Sequence, residues 1–550
     1  MRKIALFTIL GIMALAVGWG VYAQFTGGSG SGWNMGSSGS AVALNTISAD
    51  ANVKLIRAGQ TITNVARAIN IATITLSATY PNSNLKVGQK IVVDADDDTF
   101  DGVHTITAVA DQTHFSYGQA GTDVGSKAAT GTAGGHYTSL TAWEAGEGGD
   151  LVSATKIPIA ECYNDWSGGL VENLVFSGST TSASYYMKVR VPLSERNNGS
   201  TGTGVRIVPS SGDALTISDG YVMIEDLEMV GPTVISADKT LATAGNMLFT
   251  GDLTISSGAV LNAGTSNMTI TGTFSFSGTI NAQGSLITFS GSSANLTSGT
   301  FNPDQGTLVF AGTSGFAPKN GVSYNIVKFG SGTCTINGTA AIANKLILDT
   351  GASGAVNGGA ITMTNGDILC RSGTGGTTAI TMNNTSLTQS ISGVLSGAGG
   401  TLPPLTITKS GKYAYISGTI GMTDVAVTAG TLEFLAGSTY TIGASDSITL
   451  SSGAVLKFTG AGYSRLVRLR SSAPGTRWNL VNNSGSTVTP VYTDVQDSNA
   501  SNAVDADDSP SSTYNINSGN NVNWNFNANK FVWISDASAD WSTGAAWSGG

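Results

Sequence analysis

The chain has very little charge. Only 11% of its 550 residues are Asp, Glu, Lys or Arg, against about 25% in an average soluble domain. Residues 253–303 and 372–408 contain none of these side chains and no histidine. Acid–base catalysis needs carboxylates, imidazoles or amines, so these two segments cannot carry an active site. The net charge of −9 also argues against a nucleic-acid partner, which requires clustered Lys and Arg.

Cysteine and histidine are scarce as well. The three cysteines, Cys162, Cys334 and Cys370, fit no zinc spacing, and an odd number makes no disulfide framework. Cys334 and Cys370 either bridge or serve as small buried apolar side chains. All three histidines precede residue 137. No Gly-x-Ser-x-Gly elbow flanks a strand, and phosphate-binding glycine motifs are absent.

What the chain does contain is apolar residues in alternation. A hydrophobic content of 41% and a mean hydropathy of +0.11 argue against disorder. From Met268 to Ala282, apolar residues or Gly alternate with Ser, Thr or Asn. This period of two is typical of strands with one buried face. Similar short strands recur at a spacing on the order of 20 residues, which predicts roughly a dozen solenoid coils between 234 and 526.

The N-terminus predicts export. A basic Met1–Lys3 precedes the almost wholly apolar Ile4–Val21, and Val21-Tyr22-Ala23 suits a signal peptidase. We therefore expect a signal peptide over 1–23 and a secreted or cell-surface location. The alternative is an uncleaved membrane anchor. A Gly/Ser-rich linker is predicted over 24–57, and no later segment is predicted to span a membrane.

Residues 58–133 predict a small, separate β module. Short strands alternate with turn signals, as in antiparallel sandwiches and barrels. The stretches Ala72–Thr75, Val87–Gln89, Phe100–Gly102 and Thr105–Val109 resemble a short Ig-like or phage-tail-like β module of bacterial and viral surface proteins. The resemblance implies an antiparallel β fold for this region.

The densest acidic run lies inside this module. Asp94, Asp96, Asp98 and Asp101 are the candidate metal ligands, because calcium favours clustered carboxylates in a loop. An EF-hand would need Gly at its sixth position and Glu at its twelfth, and neither is in place. The alternative is a solvated hairpin loop with an Asp-Gly turn. The sequence indicates no cofactor other than this possible calcium ion.

Residues 134–233 predict a cap followed by the first coils. A short helix is expected from Ser139 to Ala145, with Ser139 or Thr138 as N-cap and with Leu140 and Trp143 on one face. The strands that follow, including the rung at 221–227, resemble the opening of a right-handed parallel β-helix of the pectate-lyase-like kind. In that fold a short helix plugs the end of the coil, so Trp143 is expected to pack in the cap.

The predicted fold is therefore all-β. It consists of a right-handed parallel β-helix, or solenoid, over 134–233 and 234–526 with an N-terminal capping helix, preceded by a small antiparallel β module.

Polar clusters near the C-terminus have two interpretations. The basic cluster comprises Arg465, Arg468, Arg470 and Arg477. It either binds an acidic sugar or faces outward on the last coils. A second set, which could chelate calcium or occupy loops, comprises Asp494, Asp497, Asp505, Asp507 and Asp508. We favour outward-facing arginines and loop aspartates.

The closing segments resemble those of large surface proteins. Residues 469–526 resemble the last coils of β-helical regions in bacterial surface proteins, and 527–550 resemble the start of a Trp-rich module in adhesin-like and autotransporter-like proteins. We expect the chain to be part of a longer protein. The predicted role is a non-catalytic adhesin-like or spacer protein that meets glycans or cell surfaces. The alternative is a polysaccharide lyase or glycoside hydrolase, which would need converging carboxylates, or Arg with a carboxylate.

Overall fold

A computed structural model describes residues 52–291, 293–507 and 514–526, together with the short strands Val532–Trp533 and Trp547–Ser548. The fold is all-β: a parallel β-solenoid of about 15 turns follows a small antiparallel β module. This confirms the predicted fold class. The predicted signal peptide, most of the linker, Asp508 and most of 527–550 lie outside the described residues.

The module is a seven-stranded antiparallel sheet that folds around its own apolar core. Its strands are Gln60–Ala68, Ile71–Leu76, Lys90–Ala95, Gly102–Asp111, His114–Gly118, Val124–Ala128 and Gly131–Gly134. Two 3-10 turns, Pro81–Ser83 and Asp98–Phe100, connect them. Alternation places Ile74, Leu76 and Phe115 inside, as a period of two requires.

The module interrupts the solenoid and does not simply precede it. Strand Val53–Ile56 pairs in parallel with Ile159–Cys162 and so belongs to the first coil. The module is inserted between these two strands. Val53–Ile56 lies within the range predicted as linker. The sequence does not reveal this strand, because four residues are too few to show a clear period of two.

Up to residue 302, the strands of successive coils form three parallel sheets. The eight-stranded sheet contains Val53–Ile56, Ile159–Cys162, Met187–Arg190, Tyr221–Glu225, Thr240–Ala244, Val260–Asn262, Thr279–Asn281 and Thr300–Asn302. The five-stranded sheet contains Leu174–Phe176, Leu215–Ile217, Thr233–Ile235, Leu253–Ile255 and Phe274–Phe276. The third sheet begins at Arg206 and continues to Phe526.

That third sheet has 20 strands. They are Arg206–Ile207, Glu228–Met229, Asn246–Phe249, Asn267–Ile270, Leu286–Ser290, Thr307–Ala311, Ser323–Phe329, Thr339–Asp349, Ala360–Met363, Asp367–Ser372, Ala379–Met382, Gln389–Ser392, Leu405–Ser417, Val425–Leu435, Ser447–Leu450, Val455–Thr459, Trp478–Asn482, Thr487–Val491, Ser498–Ala506 and Val522–Phe526. Long strands such as Thr339–Asp349 pair with two shorter strands of the next coil.

Two further sheets complete the later coils. The four-stranded sheet contains Ala294–Asn295, Ser314–Ala317, Cys334–Ile336 and Val356–Asn357. The six-stranded sheet contains Thr401–Leu402, Ile420–Met422, Ser438–Ile442, Val467–Ser471, Thr493–Val495 and Ile516–Asn517.

The interior is a stack of like side chains. Phe289, Phe310 and Phe329 occupy the same position on successive strands, and neighbouring ring centroids lie 5.6 Å apart. Met268, Ile270, Phe274 and Phe276 are buried as the alternation predicted. Stacking of this kind removes apolar surface from water along the whole solenoid.

A short helix and its neighbours close the N-terminal end. The helix spans Leu140–Glu147, and the Ser139 hydroxyl accepts a hydrogen bond from the Ala142 N–H at 3.1 Å. Trp143 is fully buried and meets Phe176 edge-on, with centroids 6.3 Å apart. Helix, N-cap and Trp143 packing are therefore confirmed. A 3-10 turn at Leu193–Glu195 follows, and no helix in the described residues is long and apolar enough to cross a membrane.

Replacement of Trp143 by Ala tests the cap. The change leaves a cavity against Phe176 at the open end of the coil, so we expect the free energy of unfolding to fall by about 3–5 kcal/mol. Strand edges at this end should also be exposed, giving aggregation by light scattering. The matched control is Val171→Ala, whose side chain is 70% exposed and should change stability by less than about 0.5 kcal/mol. Equal, small effects of both changes in urea unfolding would contradict a sealing role.

Candidate functional surfaces

Amides and hydroxyls on the solenoid's outer surface form hydrogen-bonded ladders between neighbouring coils. The side chain of Asn281 donates to Asn262 at 2.7 Å and accepts from Asn302 at 2.7 Å. On a later coil the Thr408 and Thr428 hydroxyls lie 2.7 Å apart. Stacked strands bring equivalent residues close together, and neutral side chains with both donor and acceptor groups satisfy one another there.

Charged residues on neighbouring coils form pairs of opposite sign. Arg190 contacts Glu161 at 2.6 Å, and Lys188 contacts Glu225 at 2.7 Å. Two later pairs are Lys328 with Asp349 and Arg470 with Asp494. Stacked coils therefore accommodate a charged side chain where the neighbouring coil supplies a side chain of the opposite charge.

The predicted acidic loop is held by internal contacts. The Asp97 carboxylate accepts from the Thr99 N–H at 3.1 Å and from the Lys127 amine at 2.8 Å. These hydrogen bonds, from Lys127 first and then Thr99, lower the pKa of Asp97 to about 2. Asp101 accepts from the Ala95 N–H at 2.7 Å. Asp94, Asp96 and Asp98 are exposed.

No group of three or more carboxylate, histidine or cysteine side chains suited to a metal occurs in the described residues. The structure therefore does not gather Asp94, Asp96, Asp98 and Asp101 into one site. Calcium binding by this loop stays a prediction.

A buried ion pair of the first coils contacts the module, because the Arg57 guanidinium also donates to the carbonyls of Asn84 and Lys90 at 2.8 Å. Arg57 and Asp165 side chains have no exposed surface, and the guanidinium Nε and Nη2 each donate to a carboxylate oxygen at 3.0 Å. Burial alone would lower the pKa of Arg57, but the Asp165 carboxylate together with Tyr80 and Tyr163 outweighs burial, and the pKa is raised. Arg57 also lies over the rings of Tyr80 and Tyr163, at 5.1 and 4.3 Å. It remains charged at any physiological pH.

A second buried acid strengthens this junction from the solenoid side. Glu195 accepts hydrogen bonds from the module residues Lys86, Asn84 and Gln89 at 2.8–2.9 Å. Burial would raise the pKa of Glu195, but these donors outweigh it and lower the pKa. Asn84 also donates to Asp165 at 2.9 Å. The module is thus fixed to the coils by a satisfied polar network.

No feature of the sequence predicts this junction. Arg57 and Asp165 are 108 positions apart, and no periodicity or motif marks either residue.

The first coils also contain a carboxylate–arginine arrangement that bears on the enzyme alternative. Arg206 and Glu228 are paired in register on neighbouring strands. Glu228 is fully buried, accepts from the Gly202 N–H at 2.8 Å, and has a second carboxylate oxygen without a hydrogen-bond partner. Burial raises the pKa of Glu228.

A lysine occupies the interior of the later coils. Lys409 is fully buried and donates to the Asn384 carbonyl at 2.7 Å and to the Gln389 side chain at 2.6 Å. Burial lowers the pKa of Lys409 to about 8. Its position continues the inward phase of Leu405 and Ile407, which is the signal that could have found it.

The three cysteines are buried, and the arginines of the C-terminal cluster are exposed or half-buried. Cys162, Cys334 and Cys370 are buried free thiols, so Cys334 and Cys370 do not bridge. Arg465 and Arg477 are exposed, whereas Arg468 and Arg470 are half-buried on outward positions.

The acidic residues of this region are dispersed. Asp494 is buried against Arg470 and Ser518. Asp497 is also buried and accepts from the Gly475 N–H at 3.1 Å and from Asn520 at 2.6 Å. Asp497 lies in a loop as predicted, whereas Asp494 and Asp505 lie within strands, so the predicted loop position is wrong for these two residues.

The three histidines contact backbone or nearby side chains. His136 accepts from the Leu55 N–H at 3.0 Å, and His104 stacks on Tyr117 with centroids 3.9 Å apart. Burial lowers the pKa of His104 and of His136. His114 contacts Asp111 at 2.9 Å. None of these histidines adjoins Glu228 or the later coils.

No protein-family model matches the chain, and neither the curated proteins nor the solved structures include a match.

Asp165→Asn tests whether the junction holds the module in place. Neutralising one partner leaves Arg57 buried without its counter-charge, so we expect a loss of about 3–5 kcal/mol in the free energy of unfolding. Backbone amides on both sides of the junction should also exchange hydrogen faster. The matched control is Asp349→Asn, which removes a pair of the same 3.0 Å length with about 30% exposure and should cost less than about 1 kcal/mol. Equal losses of unfolding free energy in Asp165→Asn and Asp349→Asn would contradict a structural role for the junction.

Proposed function

We propose that the protein is an exported, non-catalytic stalk that displays its β module at a cell surface. About 15 turns at about 4.8 Å per turn give a solenoid on the order of 70 Å long. Its core is continuous, so each coil supports the next. A rod of this kind would hold the β module at a distance from the point where the chain is attached to the cell.

The observation that carries this proposal is the combination of long uncharged stretches on the solenoid and a fixed module. The Asn262–Asn281–Asn302 ladder and the charge-free stretches 253–303 and 372–408 offer no carboxylate, imidazole or amine that could act as acid or base. Hydrogen bonds from Arg57 to the carbonyls of Asn84 and Lys90, and to Glu195 from the side chains of Lys86 and Gln89, support one orientation of the module. A module that is held in one orientation suits a display role better than a module that moves freely on a flexible tether.

The resemblance to adhesin-like surface proteins supports a partner on cells or among glycans. The apolar segment Ile4–Val21 and the following Val21-Tyr22-Ala23 support export through a cleaved signal peptide. Adhesion would then use the module or an outer face of the coils.

Polysaccharide cleavage is the second candidate function. The observation that favours it is the Arg206–Glu228 pair, since a lyase needs a base beside a cation. Its weakness is the complete burial of Glu228 beneath the Gly202 loop, because a catalytic base must reach its substrate.

Surface labelling combined with a cleavage assay separates these functions. Intact cells that produce the chain should expose an epitope inserted after Gly121, in an exposed turn of the module, to antibody and to added protease. The purified chain should release neither reducing nor unsaturated ends from a polysaccharide panel. An epitope reached only after cell lysis would contradict the display role. Cleavage that disappears in Glu228→Gln would establish the enzyme function instead.

A further inference from the structure

Two tyrosines stand side by side on the outer face of the later coils. Tyr413 and Tyr415 alternate with buried Ala414 and Ile416 on strand Leu405–Ser417 and are half-buried. Their ring centroids lie 5.6 Å apart, with planes inclined by 23°. Within the described residues the Tyr415 hydroxyl has no hydrogen-bond partner. Aromatic rings that stay accessible on a surface of Ser, Thr and Asn are apolar contact points for a ligand.

Two opposite charges adjoin these rings without pairing with each other. Register places Tyr415, Glu433 and Lys457 on three successive strands. The Lys457 amine lies 5.2 Å from the Tyr413 ring centroid and donates to its hydroxyl at 3.4 Å. The Glu433 carboxylate accepts from Thr459 at 2.7 Å. Both charged groups keep hydrogen-bonding capacity beside the rings.

A groove begins next to Tyr413. Thr431 and Val455, the register neighbours of Tyr413, form part of its lining, and its volume is about 370 Å³. This is within the range of about 300–1,000 Å³ that small-ligand sites occupy. Hydroxyls of Ser410 and Ser452 also line it.

A second pair of tyrosines differs in its geometry and in its nearby charges. Tyr186 and Tyr221 lie 5.1 Å apart, but their planes are inclined by 51°. The nearby charges, Lys188 and Glu225, neutralise each other at 2.7 Å. The later surface is therefore distinguished by two charged groups that do not pair with each other.

We propose that Tyr413, Tyr415, Glu433, Lys457 and the adjoining groove form a binding site for a neutral oligosaccharide. The apolar C–H face of a pyranose ring packs on an aromatic ring, as other apolar groups do. Its hydroxyls donate to a carboxylate and accept from an ammonium group. A hydroxyl-lined groove suits the next sugar units. A neutral ligand fits because Glu433 and Lys457 contribute opposite charges.

This inference deepens the proposed function, on which it rests for its biological setting. The two fail separately: surface labelling reports export and display, whereas sugar binding by the purified chain reports this site.

The test uses the purified chain on a printed array of neutral, acidic and amino-sugar oligosaccharides. The best-bound soluble hexasaccharide is then titrated calorimetrically. Tyr415→Ala removes one stacking surface and should weaken binding at least about tenfold. Glu433→Gln keeps the shape of the side chain but removes a charged acceptor, so it should weaken binding about fivefold or more.

The matched control is Tyr186→Ala, which removes an equally half-buried outer tyrosine and should leave affinity within about twofold. Thermal unfolding by circular dichroism verifies that each variant is folded. Lys457→Gln provides a further readout, with a loss of affinity expected. The proposal is overturned if the parent chain retains no array glycan, or if Tyr186→Ala and Tyr415→Ala weaken binding equally. Tighter binding by Glu433→Gln would identify an anionic ligand and would also overturn it.

Discussion

The structure depends on the vertical register of parallel strands. Each outward side chain lies directly next to its counterpart on the coil above and the coil below, about 4.8 Å away. Asn281 can therefore bond to Asn262 and Asn302 at once, whereas three carboxylates in those places would repel one another. Charges survive where a neighbouring coil offers the opposite sign, as Arg190 does for Glu161. Low charge is thus a consequence of stacking.

The same register makes the ends of the solenoid its weak points. A terminal coil leaves both an open core and a row of unpaired backbone groups. At the N-terminal end, Trp143 closes the core, and Val92 of the inserted module packs against the buried cluster that contains Val53 and Leu55 of the first strand. The buried Arg57–Asp165 pair carries a desolvation cost, which replacement by apolar residues would avoid. Its advantage is orientation, because the Arg57 guanidinium that Asp165 holds in place also donates to the module carbonyls of Asn84 and Lys90.

Local patterns could be predicted from the sequence, and long-range polar contacts could not. The alternation from Met268 to Ala282 predicted the strands, and Ser139 with Trp143 predicted the capping helix. Each of these signals is local, because it depends on residues that are close together in the sequence. The Arg57–Asp165 contact spans 108 positions and has no periodic signature. The outer site at Tyr413 depends on which coils become neighbours, and irregular coil lengths hide that register from the sequence.

A double-mutant cycle at Asn281 and Asn302 tests the stacking account most directly. Asp at either position alone should be tolerated, whereas Asp at both should cost more than the sum of the single changes, by roughly 0.2–1 kcal/mol in the free energy of unfolding. The excess should shrink in 1 M salt, and Asn281→Asp with Asn302→Lys should reverse its sign. Additive effects in every combination would contradict the claim that register excludes charge from this surface.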